Sequence, residues 1–327
     1  IDMARPDRML NLFVHARLQS PITWDVIIIP TFIVVSLLLL YFPLLPDLAI
    51  MRDYYAKTKP RLSKIYGFFA LKWNWAAKQV KLQNKSVHLL ALLIIPLGLI
   101  LESIDAYLFS TTYRVGWANN SFAPYFITGA IVSGLGALIV VSYIVRRNKQ
   151  LENYMTEYHF DKMGKLFHLG CLLYLYFNIN EYIIPLFTSS KADSEHLETL
   201  MRGDYALPFW IVTGVGLILP SILLLFEKFR KPKALYLIAI VVVVCAYWKR
   251  YLIVTPTLLH PFLPIQGVPE SWHHYTPSLH EWVITGATLA MALLIITLLV
   301  RYVPVISIDR LAEEEGLPEA EHKEAAV

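Results

Sequence analysis

Glu102 and Asp105 stand three residues apart in an otherwise apolar stretch, so a helix would set both carboxylates on one face. Further along, Cys171, Tyr174, Asn178 and Glu181 follow one another at intervals of three, four and three. At about 100° per residue they stay within an arc of roughly 80°, with His168 at its edge. From His168 to Glu181 the rise is about 20 Å, most of the thickness of a bilayer core. Ionisable groups in such surroundings are costly and tend to mark a pathway or a site. The stripe fits two chemistries. One is a proton path through titratable and hydroxyl groups; the other is adhesion, in which Asn and Tyr simply hydrogen-bond a neighbouring helix. Glu181 is harder to account for by adhesion.

More charge gathers at Arg202 and Tyr205 in "MRGDYALPFW", at Lys249 and Arg250 in "YWKRYLIV", and at His280 and Glu281 in "YTPSLHEW". Each alone reads as an interfacial anchor. Together with Asp2, Arg5, Glu102 and Asp105 they gather near one membrane surface, as the site of a lipid-soluble ligand with a polar head would. A b-type haem would need two facing histidines within apolar spans. Only His168 is clearly inside one, with His88 at a helix start, so no haem is expected. Cys171 and Cys245 form no CxxC, and nothing supports a disulfide, a metal site or an iron–sulfur cluster.

The elements that must position these residues are membrane spans. Of the 327 residues, 56% are hydrophobic and 17% charged, with a mean hydropathy of +0.50. A soluble domain carries about 25% charged residues, so the balance indicates a membrane protein. Seven stretches are long enough to cross a bilayer: 23–43, 86–109, 122–145, 162–187, 206–226, 234–254 and 279–303. Backbone polar groups in hydrocarbon must be satisfied internally, which makes these spans helices. The expected fold is an all-α polytopic membrane protein. Its net charge of +4 is too small to argue for nucleic acid.

The connections alternate in charge. Residues 44–85 are rich in lysine and arginine, as are the segments with Arg146, Arg147 and Lys149 and with Lys228, Arg230, Lys231 and Lys233. The intervening connections are poor in bases. The positive-inside rule then puts loop 44–85 and the C-terminus in the cytoplasm, and Ile1 on the outer face. An outward start with no Met is expected if an odd number of helices precedes Ile1. Within the basic loop, Ile65, Phe68, Phe69, Trp73 and Ala76 lie among lysines. That pattern reads as an interfacial helix on anionic lipid, with partner docking as the alternative. The tail 304–327 is acidic and expected to be solvated.

The sequence resembles the NrfD / polysulfide-reductase (PsrC-like) membrane-subunit family. The resemblance rests on "DMARPDRMLNLFVHARLQSPITWDV", "GWANNSFAPYFITGAIVSG", "RGDYALPFW" followed by Pro220, "KRYLIVTPTLLHPFLP", and "YTPSLHEW" leading into "RYVPVISI", in that order. The long basic loop is similar to the ten-helix branch, which includes the membrane subunits of alternative complex III and of menaquinone-reductase complexes. The alternative complex III pattern has a histidine near the position of Glu102. The resemblance implies parts of two four-helix bundles. Residues 1–121 would complete the first, quinone-side bundle, 122–254 would form the second, and 255–303 would add a peripheral helix with an outer loop.

The resemblance also implies a subunit of a bacterial inner-membrane respiratory oxidoreductase that exchanges electrons with a quinone, menaquinone or ubiquinone, as substrate. It implies no haem, metal or flavin in this chain. A periplasmic-side iron–sulfur subunit is implied as partner, with molybdopterin-like and multihaem cytochrome c subunits beyond it, and lipid around it. Asp2, Arg5 and Arg8 match the quinone-site segment. With Glu102 and Asp105 they form the expected quinone site, with Asp2, Glu102 and Asp105 as its proton-exchanging acids. His168, Tyr174, Asn178 and Glu181 form the expected proton path. The alternatives are a proton-translocating or anchor subunit without its own quinone chemistry, and a secondary transporter.

Overall fold

The computed structural model describes residues 6–8, 10–112, 114–117, 119–148, 151–188, 191–259, 269 and 275–308. Asp2 and Arg5 lie outside the described residues, as does nearly all of the acidic tail. Among the described residues the regular structure is helical throughout. The long elements are α1 (Pro21–Thr58), α2 (Pro60–Phe69), α3 (Ala77–Ser110), α4 (Phe122–Asn148), α5 (Glu157–Thr188), α6 (Lys191–Met201), α7 (Ala206–Leu223), α8 (Pro232–Leu259) and α9 (Leu279–Tyr302). Helices occupy all seven apolar stretches. Six of them, α1, α3, α4, α7, α8 and α9, are long and apolar enough to cross a membrane. The seventh, α5, is 32 residues long, and its asparagines, tyrosines and Glu181 dilute the apolar content. The protein is an all-α polytopic membrane protein.

The helix ends differ from the sequence expectation. A stop at Pro43 follows from the missing N–H and the ring clash of proline. Instead α1 runs 38 residues, through Pro30, Pro43 and Pro46. Its continuation is held by packing: Leu45, Leu48 and Ala49 bury against Tyr66, Ala70 and Trp73. Part of the basic loop is therefore helical extension of α1 and α3, and only α2 is a separate short helix. After α2 the backbone enters the left-handed region at Leu71, Lys72 and Trp75. That kink turns Trp73 inward, whereas Ile65, Phe68 and Phe69 stay exposed. The surface helix thus keeps its exposed apolar face but has lost the tryptophan to the core.

Two compact units form. The first holds the described residues up to His15, Val26–Gly98 and those from Pro277 onward; the second holds Ala16–Asp25 and Leu99–Thr276. In the second unit α4, α5, α7 and α8 pack as a four-helix bundle, with α6 against α5 and α8. Its core includes Phe122, Val132, Ile139, Phe167, Leu235 and Val242. Within α7, Ile211–Ile218 is a π-helix. A Cβ at Gly216 would fall 2.2 Å from Cys245 Cβ, so α7 and α8 touch there only because glycine has none. Cys171 and Cys245 are buried free thiols.

Candidate functional site

The second unit gathers an acid cluster from three elements: Asp25 of α1, Glu102 and Asp105 of α3, and Arg250 of α8. The helical spacing expected for Glu102 and Asp105 holds, since both sit on the continuous last turns of α3. Asp105 lies within hydrogen-bond reach of the Asp25 carboxyl. Arg250 Nη2 stands 3.7 Å from Glu102 Oε2, an ion pair beyond hydrogen-bond length. The guanidinium lies 4.3 Å from the centre of the Phe126 ring, which fixes its plane. Oxygens Asp25 Oδ1 and Glu102 Oε2 are shielded and have no hydrogen-bond partner among the described residues. Three carboxyls gather here: Glu102 and Asp105 lie in the field of Arg250, and Asp25 meets Asp105. Two carboxyls in mutual reach are accommodated most readily by holding a proton between them. Such a cluster can accept and release protons.

A second group sits inside the bundle. Tyr174 Oη donates to Tyr125 Oη at 3.3 Å, and Asn178 Nδ2 donates to the same oxygen at 3.4 Å. The two tyrosine rings stack at 5.2 Å and 19°. One turn on, Glu181 meets Lys249, whose Nζ lies 3.3 Å from Oε2 at an angle that makes no hydrogen bond. Lys249 is 2% exposed and donates instead to the Tyr182 hydroxyl. Tyr174, Asn178 and Glu181 are thus brought together around Tyr125 and Lys249. His168 is not brought to them. It is ten residues from Asn178, about 15 Å along α5, and its Nδ1 has no partner among the described residues. Arg8 lies exposed in a 3-10 turn of the first unit.

A cavity of about 100 Å³ opens beside Glu181, lined also by Asn119, Asp193, His196 and Thr257. Gly116 makes room for it. It sits at φ +83°, where L side chains strain, and a Cβ would fall 2.6 Å from His196 Nε2. A second cavity, of about 10 Å³, is lined by Lys249, Tyr174, Asn178, Thr213 and Cys245 among others. Two further polar residues have local roles, Glu281 in the first unit and Tyr205 in the second. Glu281 closes a capping box with Ser278 at the start of α9. Tyr205 precedes α7, where burial, with Tyr251 beside it, pushes its phenol up to about 12. Among the described residues no group of His, Cys, Asp and Glu could hold a metal ion.

Sequence reasoning missed Asp25 and the partners of Lys249 and Arg250. Asp25 was legible as the lone charge at the head of an apolar run, "PITWDVIIIP". Lys249 and Arg250 are neighbours in sequence, and helix geometry turns them about 100° apart. One therefore reaches α5 and the other α3.

The family model described as polysulphide reductase, NrfD, matches residues 1–261. A relative in Halobacterium salinarum, named as a putative membrane subunit of dimethyl sulfoxide reductase, is 25% identical over 331 residues. That alignment covers 93% of this chain and 70% of the relative. With a match across most of its length, and with the multi-pass helical fold to go with it, the chain belongs to the NrfD polysulphide reductase family.

Proposed function

We propose that the chain is the quinone-interacting membrane subunit of a respiratory oxidoreductase, with the acid cluster Asp25, Glu102, Asp105 and Arg250 at its quinone site. The observation that carries this reading is the clustering of Asp25, Glu102 and Asp105 in a membrane-spanning unit, with Arg250 beside Glu102 and Asp105. Quinone chemistry joins two electrons to two protons, so the head group needs proton partners as well as an electron partner. Glu102 and Asp105 supply exchangeable protons; Arg250 holds Glu102 and offers spare donors to a quinone carbonyl. The electrons come from or go to an iron–sulfur subunit on the outer face, in keeping with a relative named as a reductase membrane subunit. Asp2, Arg5 and Arg8 remain candidates through the resemblance alone. The resemblance implies the inner membrane, and the charge pattern of the loops favours Ile1 on the periplasmic side and the C-terminus in the cytoplasm.

The test is turnover of quinone by the purified complex. Asp105→Asn and Glu102→Gln each lower it by about 100-fold, the scale of a lost proton-transfer group, while the subunits still co-purify. A hydroxyquinoline N-oxide quinone analogue then binds more weakly to both variants. Unchanged turnover in both, or a chain that purifies alone without an iron–sulfur partner, overturns the reading. A second reading, that the chain also moves protons, is favoured by the meeting of Tyr174, Asn178 and Glu181 at Tyr125.

A further inference from the structure

We infer that Glu181 and Lys249 form a proton relay that joins the two cavities of the second bundle, a step that rests on the proton-moving reading above. Glu181 lines the cavity of about 100 Å³, and Lys249 lines the one of about 10 Å³. The ion pair therefore connects the linings of the two, with one partner in each. The larger space has room for several waters and polar partners for them in Asn119, Asp193, His196 and Thr257. The smaller has room for a single water-sized molecule beside Asn178 and Thr213.

The pair's geometry suits exchange better than permanent bonding. At 3.3 Å and out of alignment, Glu181 Oε2 keeps its hydrogen-bonding capacity unspent. Lys249 has no acid besides Glu181 in ion-pair range among the described residues; its other contacts are the Tyr182 hydroxyl and the Tyr125 ring, 5.7 Å away. A purely structural buried pair gains from excellent geometry and full satisfaction, since desolvation of two charges is expensive. This pair has neither.

The transfer balances in three moves. An N–H bond of the Lys249 ammonium breaks as an O–H bond forms on the Glu181 carboxylate, leaving a neutral amine and a neutral acid. Glu181 then releases its proton to water in the larger cavity. The Lys249 amine takes a proton from water in the smaller cavity, restoring the charged pair. The first move leaves the sum of the two charges at zero, so it adds no net charge to a desolvated site. The opposite direction is the same sequence reversed. Lysine is suited to this because its amine can be neutral when buried, whereas arginine cannot give up its proton in a protein.

The purified complex is reconstituted in phosphatidylcholine vesicles holding a pH-sensitive dye, and a potassium diffusion potential is imposed. Wild-type vesicles acidify well above protein-free ones. Lys249→Arg keeps the ion pair and a folded bundle, yet lowers proton flux by about 100-fold. The charge-neutral double variant Glu181→Gln with Lys249→Met does the same and guards against misfolding from a lone buried charge. Both keep wild-type affinity for the hydroxyquinoline N-oxide analogue, which separates the relay from the quinone site. Wild-type flux in the double variant or in Lys249→Arg overturns the relay alone. Wild-type vesicles no more permeable than protein-free ones overturn the relay and the proton-moving reading together.

Discussion

Arg230 shows how one side chain can fix the end of a membrane helix. Its Nε donates to Asp161 at 2.7 Å, while Nη1 donates to the carbonyls of Leu224 and Leu225, beyond the last turn of α7. Those carbonyls are among the groups a helix end leaves without partners. Asp161, ahead of the apolar part of α5, also holds Lys165 at 2.6 Å. Hydrogen bonds from Arg230 and then Lys165 keep its carboxyl below the ordinary 3.8. A carboxylate lowered in the folded state stabilises above its unfolded value and loses that contribution as pH falls through the folded one. Asp161→Asn therefore lowers the Tm of the detergent-solubilised complex at neutral pH. The gap between variant and wild type closes as the pH is taken below 3.8. A gap of constant size across that range would mean that the ion pair contributes nothing.

At the scale of elements, what the sequence disclosed was the apolar middle of each helix, not its ends or its neighbours. An apolar run of about 20 residues can only be a helix in hydrocarbon, so spans are legible from composition. Their ends depend on packing across the fold, as where Leu45 and Ala49 against Tyr66 carry α1 past two prolines. The acids at 102, 105 and 181 were legible by type, because a charge in such a run is conspicuous. Which cation each would meet was not, because that depends on how α8 turns against α3 and α5. The contact of α7 with α8 is likewise tertiary, and it is testable. Gly216→Ala puts a methyl into Cys245 and costs about 1–3 kcal/mol by overpacking. Gly134→Ala, on α4 with open space around it, gains about 0.5–1 kcal/mol from helix propensity. Thermal unfolding of the two variants should bracket the wild type; Gly216→Ala at or above wild-type stability would show that the helices are free to part there.

Across the whole molecule, burial is distributed unevenly, and that bears on how the chain meets its surroundings. In α7 and α8 a third or more of the most apolar window is buried, against almost none in α1, α3 and α9. The second unit is thus the one whose helices bury one another, and it offers the cleanest test of orientation. α7 has 18 residues, near the lower end of the length that crosses a hydrocarbon core. Its two ends differ in charge: Arg202 and Asp204 offset one another before it, and Lys228, Arg230, Lys231 and Lys233 outweigh Glu227 after it. Asp204 and Lys231 are both exposed, and the native thiols Cys171 and Cys245 are buried, so introduced cysteines stand out against a low background. With a membrane-impermeant maleimide on intact spheroplasts, Asp204→Cys should label at once. Lys231→Cys should label only after permeabilisation if the four bases face the cytoplasm, as proposed above from the positive-inside rule. Labelling in the reverse order would invert the topology, move the acid cluster's partner to the cytoplasmic face and require an electron donor there instead.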